Sequence, residues 1–189
     1  MNTGNKKMEN NKSKFLGDAM YTFFEKYSEG CNVFFETGSQ YGDSIERGVL
    51  LGNDKVISVE LNSDRYRHCN ERFAKEIQEG KVHLFSGDSV RLFDEMCSLL
   101  DPSDKCFFWL DAHGEGGGAP VLEELEILKK YNRKNDVIAI DDMTIYYRES
   151  IIQIEQSLKE LNPDYNIHLD DIHSRGIPAI MVATKNVLV

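Results

Sequence analysis

The stretch Phe34-Phe35-Glu36-Thr37-Gly38-Ser39-Gln40-Tyr41-Gly42-Asp43-Ser44 decides how this chain folds. An apolar, β-rich run (Val33 to Phe35) ends in an acid, a glycine-bearing turn follows, and an amphipathic helix (Ile45 to Leu51) begins directly after it. Strand, acid, glycine turn and helix build a nucleotide-type pocket at the carboxyl end of a parallel strand. Gly38 and Gly42 let the backbone bend and let a ligand come close without a Cβ in the way. The amino terminus of the next helix points at that ligand. The following strand, Lys55 to Val59, also ends in an acid, Glu60, which stands 24 residues after Glu36 and is placed to accept both hydroxyls of a ribose.

Outward from this unit, strand and helix patterns alternate. A helix is predicted over Phe15 to Tyr27, from apolar residues at helical spacing, and packs on the sheet or covers the cleft. Strands are predicted at Asn32 to Glu36, Lys55 to Glu60, Lys81 to Ser86, Cys106 to Leu110 and Val137 to Ile140. Helices fall near Asp43 to Leu51, from Asn62 or Ser63 to about Glu79, and at Asp88 to Leu100, Pro120 to Tyr131 and Glu149 to Leu161. Two last strands, Tyr165 to Ile172 and Ala179 to Thr184, are joined by a turn too short for a parallel crossover, so they pair antiparallel. The expected architecture is α/β: a Rossmann-like, doubly wound, mostly parallel seven-stranded sheet. It has one antiparallel strand near the edge and helices on both faces.

Length and composition bound the rest. The 189 residues suit one domain with a proper core, and 41% hydrophobic and 29% charged residues are ordinary for a soluble globular protein. The net charge of −10 disfavours a nucleic-acid partner, since there is no basic surface to displace counterions. The apolar runs are strand-sized, so no membrane span is expected. The first 14 residues are polar, lack the apolar core of a signal peptide, and read as a disordered tail before a single domain over 15–189. Cys31, Cys69, Cys97 and Cys106 form no CxxC pair, so free thiols in a cytoplasmic protein are expected.

Glu36-x-Gly38-x-x-x-Gly42, Glu60, Gly87-Asp88-Ser89 and Asp111 follow one another in the order of the strand-end motifs of class I S-adenosylmethionine-dependent methyltransferases. The chain resembles that family from about Cys31 onward. The resemblance implies S-adenosylmethionine as cofactor, held by Glu36, Gly38, Ser39, Gln40, Gly42, Ser44, Glu60, Leu61, Gly87, Asp88, Ser89 and Asp111. Backbone amides around Gly38 to Gly42 suit the cofactor's carboxylate, Glu36 its ammonium, Glu60 its ribose and Asp88 its adenine amino group. Each of these two acids also has a plainer reading: Glu36 as a helix-capping or salt-bridged strand-end acid, Asp88 as a helix N-cap. The turn is not Gly-x-Gly-x-x-Gly, so the dinucleotide fingerprint is incomplete, and a dinucleotide-dependent oxidoreductase ranks below the methyltransferase reading. A non-catalytic member of the same fold is the other rival.

A second constellation bears on mechanism. The fourth strand ends Trp109-Leu110-Asp111-Ala112-His113 and the fifth ends Ile140-Asp141-Asp142. Three carboxylates at neighbouring strand ends repel unless protonated or bridged by a cation. This resembles the metal-dependent O-methyltransferases and implies magnesium on Asp111, Asp141 and Asp142, against a reading in which the acids cap helices or face solvent. His113 is placed for general-base work, while a loop histidine standing alone is more often incidental. Gly114-Glu115-Gly116-Gly117-Gly118 is not a Walker loop; it reads as a flap over the acceptor site or as a plain connector. Tyr146 and Tyr147 either wall the acceptor pocket or pack on the last helix. Glu123-Glu124-x-Glu126 reads as a solvated helix face. The expected reaction is methyl transfer to a hydroxyl of a small molecule or sugar, with a second subunit able to complete the acceptor pocket.

Overall fold

A computed structural model describes residues 18–113, 120–170 and 180–185. The tail, Phe15 and Leu16, the glycine run after His113, His173 and the turn between the last two strands lie outside these residues. The elements in chain order are α1 (Ala19–Tyr27), β1 (Val33–Thr37), α2 (Asp43–Leu50), β2 (Lys55–Glu60), α3 (Ser63–Arg72), α4 (Ala74–Gln78) and β3 (Val82–Ser86). They continue with α5 (Ser89–Cys97), β4 (Cys106–Leu110), α6 (Val121–Lys129), β5 (Val137–Ile140), α7 (Ile151–Leu161), β6 (Asn166–Asp170) and β7 (Ile180–Thr184).

The seven strands form one sheet in the order β3-β2-β1-β4-β5-β7-β6. The first five in sequence pair in parallel, and β7 runs antiparallel to both β5 and β6. This is the expected doubly wound sheet with one reversed strand near its edge. Its strand order reverses between β1 and β4, which opens a crevice at their carboxyl ends.

Alternation along each strand feeds two cores. On one face Val33, Phe35, Phe108, Leu110, Ile138 and Ile140 pack against α5, α6 and α7 through Phe93, Leu125 and Leu158. On the other, Phe34, Phe107, Trp109, Ala139 and Val182 meet Phe23, Phe24 and Tyr27 of α1 together with Ile45 and Phe73. Because β1, β4 and β5 are buried on both faces, β4 and β5 read as unbroken apolar runs, and β1 does so as far as Phe35. The leading helix therefore packs on the sheet. Asp18 caps it by accepting from Met20 and Tyr21, and Tyr27 Oη ties its far end to His168 Nε2 on β6 at 2.9 Å.

Most helix boundaries differ from the sequence expectation by one to three residues, as where α5 ends at Cys97 rather than Leu100, with two larger departures. The leading helix begins at Ala19 rather than Phe15, because Asp18, extended at φ −73° and ψ 114°, caps it. The helix expected from Asn62 to about Glu79 is broken at Phe73, which ends α3 and begins α4 with φ −109° and ψ 20°. Phe73 is 5% exposed: its ring turns into the core beneath Gly42, and the helix axis yields to that packing.

The amino-terminal end of the sheet is closed by a buried ion-pair network. Asp136, 2% exposed, accepts from Arg133 Nε at 2.6 Å and from the Cys106 amide at 2.9 Å. Arg133 Nη2 also donates to the Asp104 carbonyl at 2.6 Å. Removing one partner of such a pair leaves a charge without compensation. Arg133→Ala should therefore lower the unfolding free energy by about 3–5 kcal/mol in urea titrations, far more than truncating a surface arginine.

Candidate active site

The turn after β1 is a tight loop whose shape the backbone fixes. Gly38 (φ +89°), Gln40 (φ +51°) and Gly42 (φ +84°) all lie in the left-handed region. The Gly38 and Ser39 amides donate to the Val59 carbonyl at 3.0 and 3.1 Å, and the Gly42 amide to the Ser39 carbonyl at 2.7 Å. A Cβ on Gly38 would stand 2.8 Å from the Asp111 carbonyl oxygen, so glycine is required where β1 and β4 emerge side by side. A Cβ on Gly42 would meet Phe73 Cε2 at 2.5 Å. This corrects the expectation that Gly42 clears space for a ligand: what it clears is an aromatic ring of the core.

A cavity of about 520 Å³ opens at this edge, lined by Gly38, Gln40, Glu60 and Leu61 on one side and by Gly87, Asp88, Ser89 and Asp111 on the other. Ala112, His113 and Arg65 also reach it. Eight positions named from sequence thus meet at one cavity, as does His113. Glu36, Ser39, Gly42 and Ser44 are placed behind the lining. Among the described residues, Arg65 was not anticipated from sequence.

The acids solve their burial differently. Glu60 is 5% exposed; its Oε2 accepts from the Gln40 amide at 2.7 Å and its Oε1 from the Asn62 amide at 2.8 Å. It therefore ties the turn after β1 to the end of β2 as well as facing the cavity. Glu36 is fully buried; Ser58 donates to its Oε1 at 2.6 Å, and its Oε2 has no hydrogen-bond partner among the described residues. Desolvation pushes the Glu36 carboxyl up to about 7, with the hydrogen bonds from Ser44 and Ser58 opposing and the Glu60 charge assisting. Asp88 caps α5 by accepting from the Arg91 amide at 3.0 Å while lining the cavity, so both of its readings hold in geometry. Ser89 turns its hydroxyl away from the cavity to donate to Glu124 Oε1 at 2.5 Å.

Glu124 overturns the reading of its helix run as a solvated face: it is 1% exposed. Its second oxygen accepts from the Thr37 hydroxyl at 3.4 Å, and desolvation pushes its carboxyl up to about 7 against the Ser89 and Thr37 hydrogen bonds. The signal was present in the sequence. Position 124 falls on the same helical stripe as the buried Val121, Leu125 and Leu128.

On the other side of the crevice, ligand atoms of Asp111, His113 and Asp142 lie within 4.8 Å of one another. His113 Nε2 stands 3.8 Å from Asp142 Oδ2. The expected set was Asp111, Asp141 and Asp142; His113 joins Asp111 and Asp142 in the cluster, while Asp141 Oδ1 accepts from the Asp142 amide at 2.7 Å and the Asp141 charge acts on Asp111. Asp142 holds φ +55°, a left-handed conformation uncommon for a side-chain-bearing residue. Its carbonyl accepts from the amides of Ile145 and Tyr146 at 2.9 and 3.0 Å. Tyr146 stacks on the His113 ring at 4.5 Å and 17°, while Tyr147 is buried and donates to the Ala112 carbonyl at 3.4 Å. Desolvation, then the charges of Asp141 and Asp142, raise the Asp111 carboxyl well above the ordinary carboxylate range.

No protein-family model matches the chain, and no curated protein matches it. Solved structures do. The O-methyltransferase TomG from Streptomyces achromogenes, involved in tomaymycin synthesis and solved with S-adenosylmethionine, superposes at a TM-score of 0.65. That match has 12% identity and covers 97% of this chain and 90% of that one. The O-methyltransferase from Bacillus cereus, solved with S-adenosylhomocysteine, gives 0.60 at 14% identity, covering 94% and 90%. The S-adenosylhomocysteine-bound methyltransferase PaMTH1 of Podospora anserina gives 0.60 at 12% identity, covering 94% and 85%. This chain has the fold of class I S-adenosylmethionine-dependent methyltransferases. No helix among the described residues is long and apolar enough to cross a membrane.

The raised carboxyl of Glu36 carries a sign. An acid whose folded-state pKa lies above its unfolded value binds its proton more tightly when folded. Its stabilising protonation is complete below the unfolded value of 4.5 and is lost as pH rises through about 7. The difference in unfolding free energy between wild type and Glu36→Gln should therefore move against the wild type, by a few kcal/mol, between pH 4.5 and pH 8. Denaturant melts across that window, with each protein measured at every pH, give the slope directly.

Proposed function

We propose that the chain is a methyltransferase that uses S-adenosylmethionine to methylate a hydroxyl of a small molecule or sugar. The observation that carries this reading is the cavity itself. In the methyltransferase fold, at the crevice where strand order reverses, it is walled by the glycine turn after β1, Glu60 at the end of β2, Gly87 and Asp88 after β3, and Asp111 after β4. The lining fits the cofactor's chemistry. Gly38 and Gly87 offer backbone without side chain, Glu60 and Asp88 offer acceptors for ribose and adenine donors, and Asp111 offers a carboxylate to a cationic ligand. The orphaned Glu36 Oε2 behind the lining suits an ammonium group reached through water.

Asp111, His113 and Asp142 would hold a divalent cation, since two carboxylates and an imidazole offer three donors at a spread one ion can span. When bound, such an ion lowers the pKa of an acceptor hydroxyl. Magnesium accepts the carboxylates, and the imidazole makes manganese at least as suitable. The chain's own residues do the rest. Asp142, fixed by its backbone turn, aims its carboxylate at His113, and Tyr146 covers the imidazole face. In-line attack on the methyl then needs positioning above all. The acceptor would enter beside His113 and Tyr146, and a second copy of the chain would complete that wall.

Saturating S-adenosylmethionine or S-adenosylhomocysteine should raise the melting temperature, by about 2.7 kcal/mol of linkage at a hundredfold excess over Kd, while NAD should leave it unchanged. Absence of both shift and calorimetric heat at millimolar cofactor would refute the reading. Glu60→Ala should weaken cofactor binding by about 1.5–3 kcal/mol. It should also lower the melting temperature without cofactor, because two backbone amides lose their acceptor. Turnover should require magnesium or manganese. Full activity in excess chelator would instead leave His113 to take the acceptor proton.

A further inference from the structure

Glu124 does not line the cavity, yet it joins two pieces of its wall. Thr37, which donates to one of its oxygens, is the last residue of β1 and immediately precedes Gly38. Ser89, which donates to the other, opens α5 immediately after Gly87 and Asp88. β1 and β3 are not neighbours, since β2 lies between them, so this carboxylate reaches across a strand. It comes from α6, the helix that follows β4, and its backbone is anchored by the Glu124 amide donating to the Pro120 carbonyl at 3.0 Å. A buried acid whose partners among the described residues are two hydroxyls is costly, and a leucine at this place would pack as well as Val121 and Leu125 do on the same stripe. What leucine cannot do is hold two hydroxyls at a fixed separation.

We infer that Glu124 is a positioning residue of the cofactor pocket. Its carboxyl clamps the turn after β1 to the turn after β3 and so sets the width of the slot between Gly38 and Gly87. The inference rests on the reading of the cavity as the S-adenosylmethionine site, and it assigns the clamp to a residue outside that site. The slot widens when the clamp is lost, even though every lining side chain remains.

Two measurements on the full chain test this. The first is hydrogen exchange without ligand at the amides of Gly38, Ser39 and Gly87, which are protected by hydrogen bonds to β2 carbonyls. In Glu124→Leu these amides, remote in sequence from position 124, should exchange at least tenfold faster at both turns. Glu124→Gln, which can bond both hydroxyls, should restore protection. The second is calorimetric affinity for S-adenosylhomocysteine, which should fall tenfold or more in Glu124→Leu and recover with glutamine. If the leucine variant does not fold, Thr37→Val removes one arm alone and should loosen Gly38 and Ser39 but not Gly87. Wild-type protection at both turns in a folded Glu124→Leu, or in Thr37→Val, overturns the clamp. A wild-type chain that binds neither S-adenosylmethionine nor its product defeats the cofactor reading, and the exchange rates alone then decide the clamp.

Discussion

Parallel pairing of five apolar strands in register is the constraint on which the rest of the molecule depends. β1, β2, β4 and β5 are largely buried, and each has an acid as its last or next-to-last residue or directly after it. Pairing them in parallel gathers Glu36, Glu60, Asp111 and Asp141 along one edge, where burial and neighbouring charge raise the Glu36 and Asp111 carboxyls. The structure meets that cost unevenly. Glu60 is met by two backbone amides, and Glu36 Oε1 by the Ser58 hydroxyl. Asp111 faces the charges of Asp141 and Asp142. The acid least compensated by the protein itself is the one most in need of a ligand.

The opposite end of the sheet handles charge differently. There Asp136 is bonded to Arg133, and Asp104 accepts from Asn32 and Lys55, so burial is compensated within the chain. The protein thus pairs its acids within the chain at one end of the sheet and leaves Glu36 and Asp111 raised at the other.

Much of this was legible in the sequence because its signals are local. Period-two and unbroken apolar runs give strands, and a strand end followed by Gly38 or Gly87 gives a turn. The short link before β7 forces an antiparallel pair. What was not legible depended on contacts distant in sequence. The break at Phe73 follows from the space beneath Gly42, some thirty residues away. The joining of His113 to Asp111 and Asp142 depends on the left-handed turn at Asp142, a residue far from His113 in sequence. Glu124 is a different case: its helical stripe could have been counted, but the acidic run around it masked the periodicity.

The fit between Gly42 and Phe73 has a consequence for how this sequence can change over evolutionary time. The bare α-carbon and the ring occupy one volume, so neither position can drift alone. Enlarging residue 42 demands a smaller residue 73, and shrinking residue 73 empties the floor beneath the turn that carries Gln40. Among diverged descendants of this chain the two positions should vary as a pair. The point where α3 breaks should move with them, since without the ring nothing holds the helix away from a straight path.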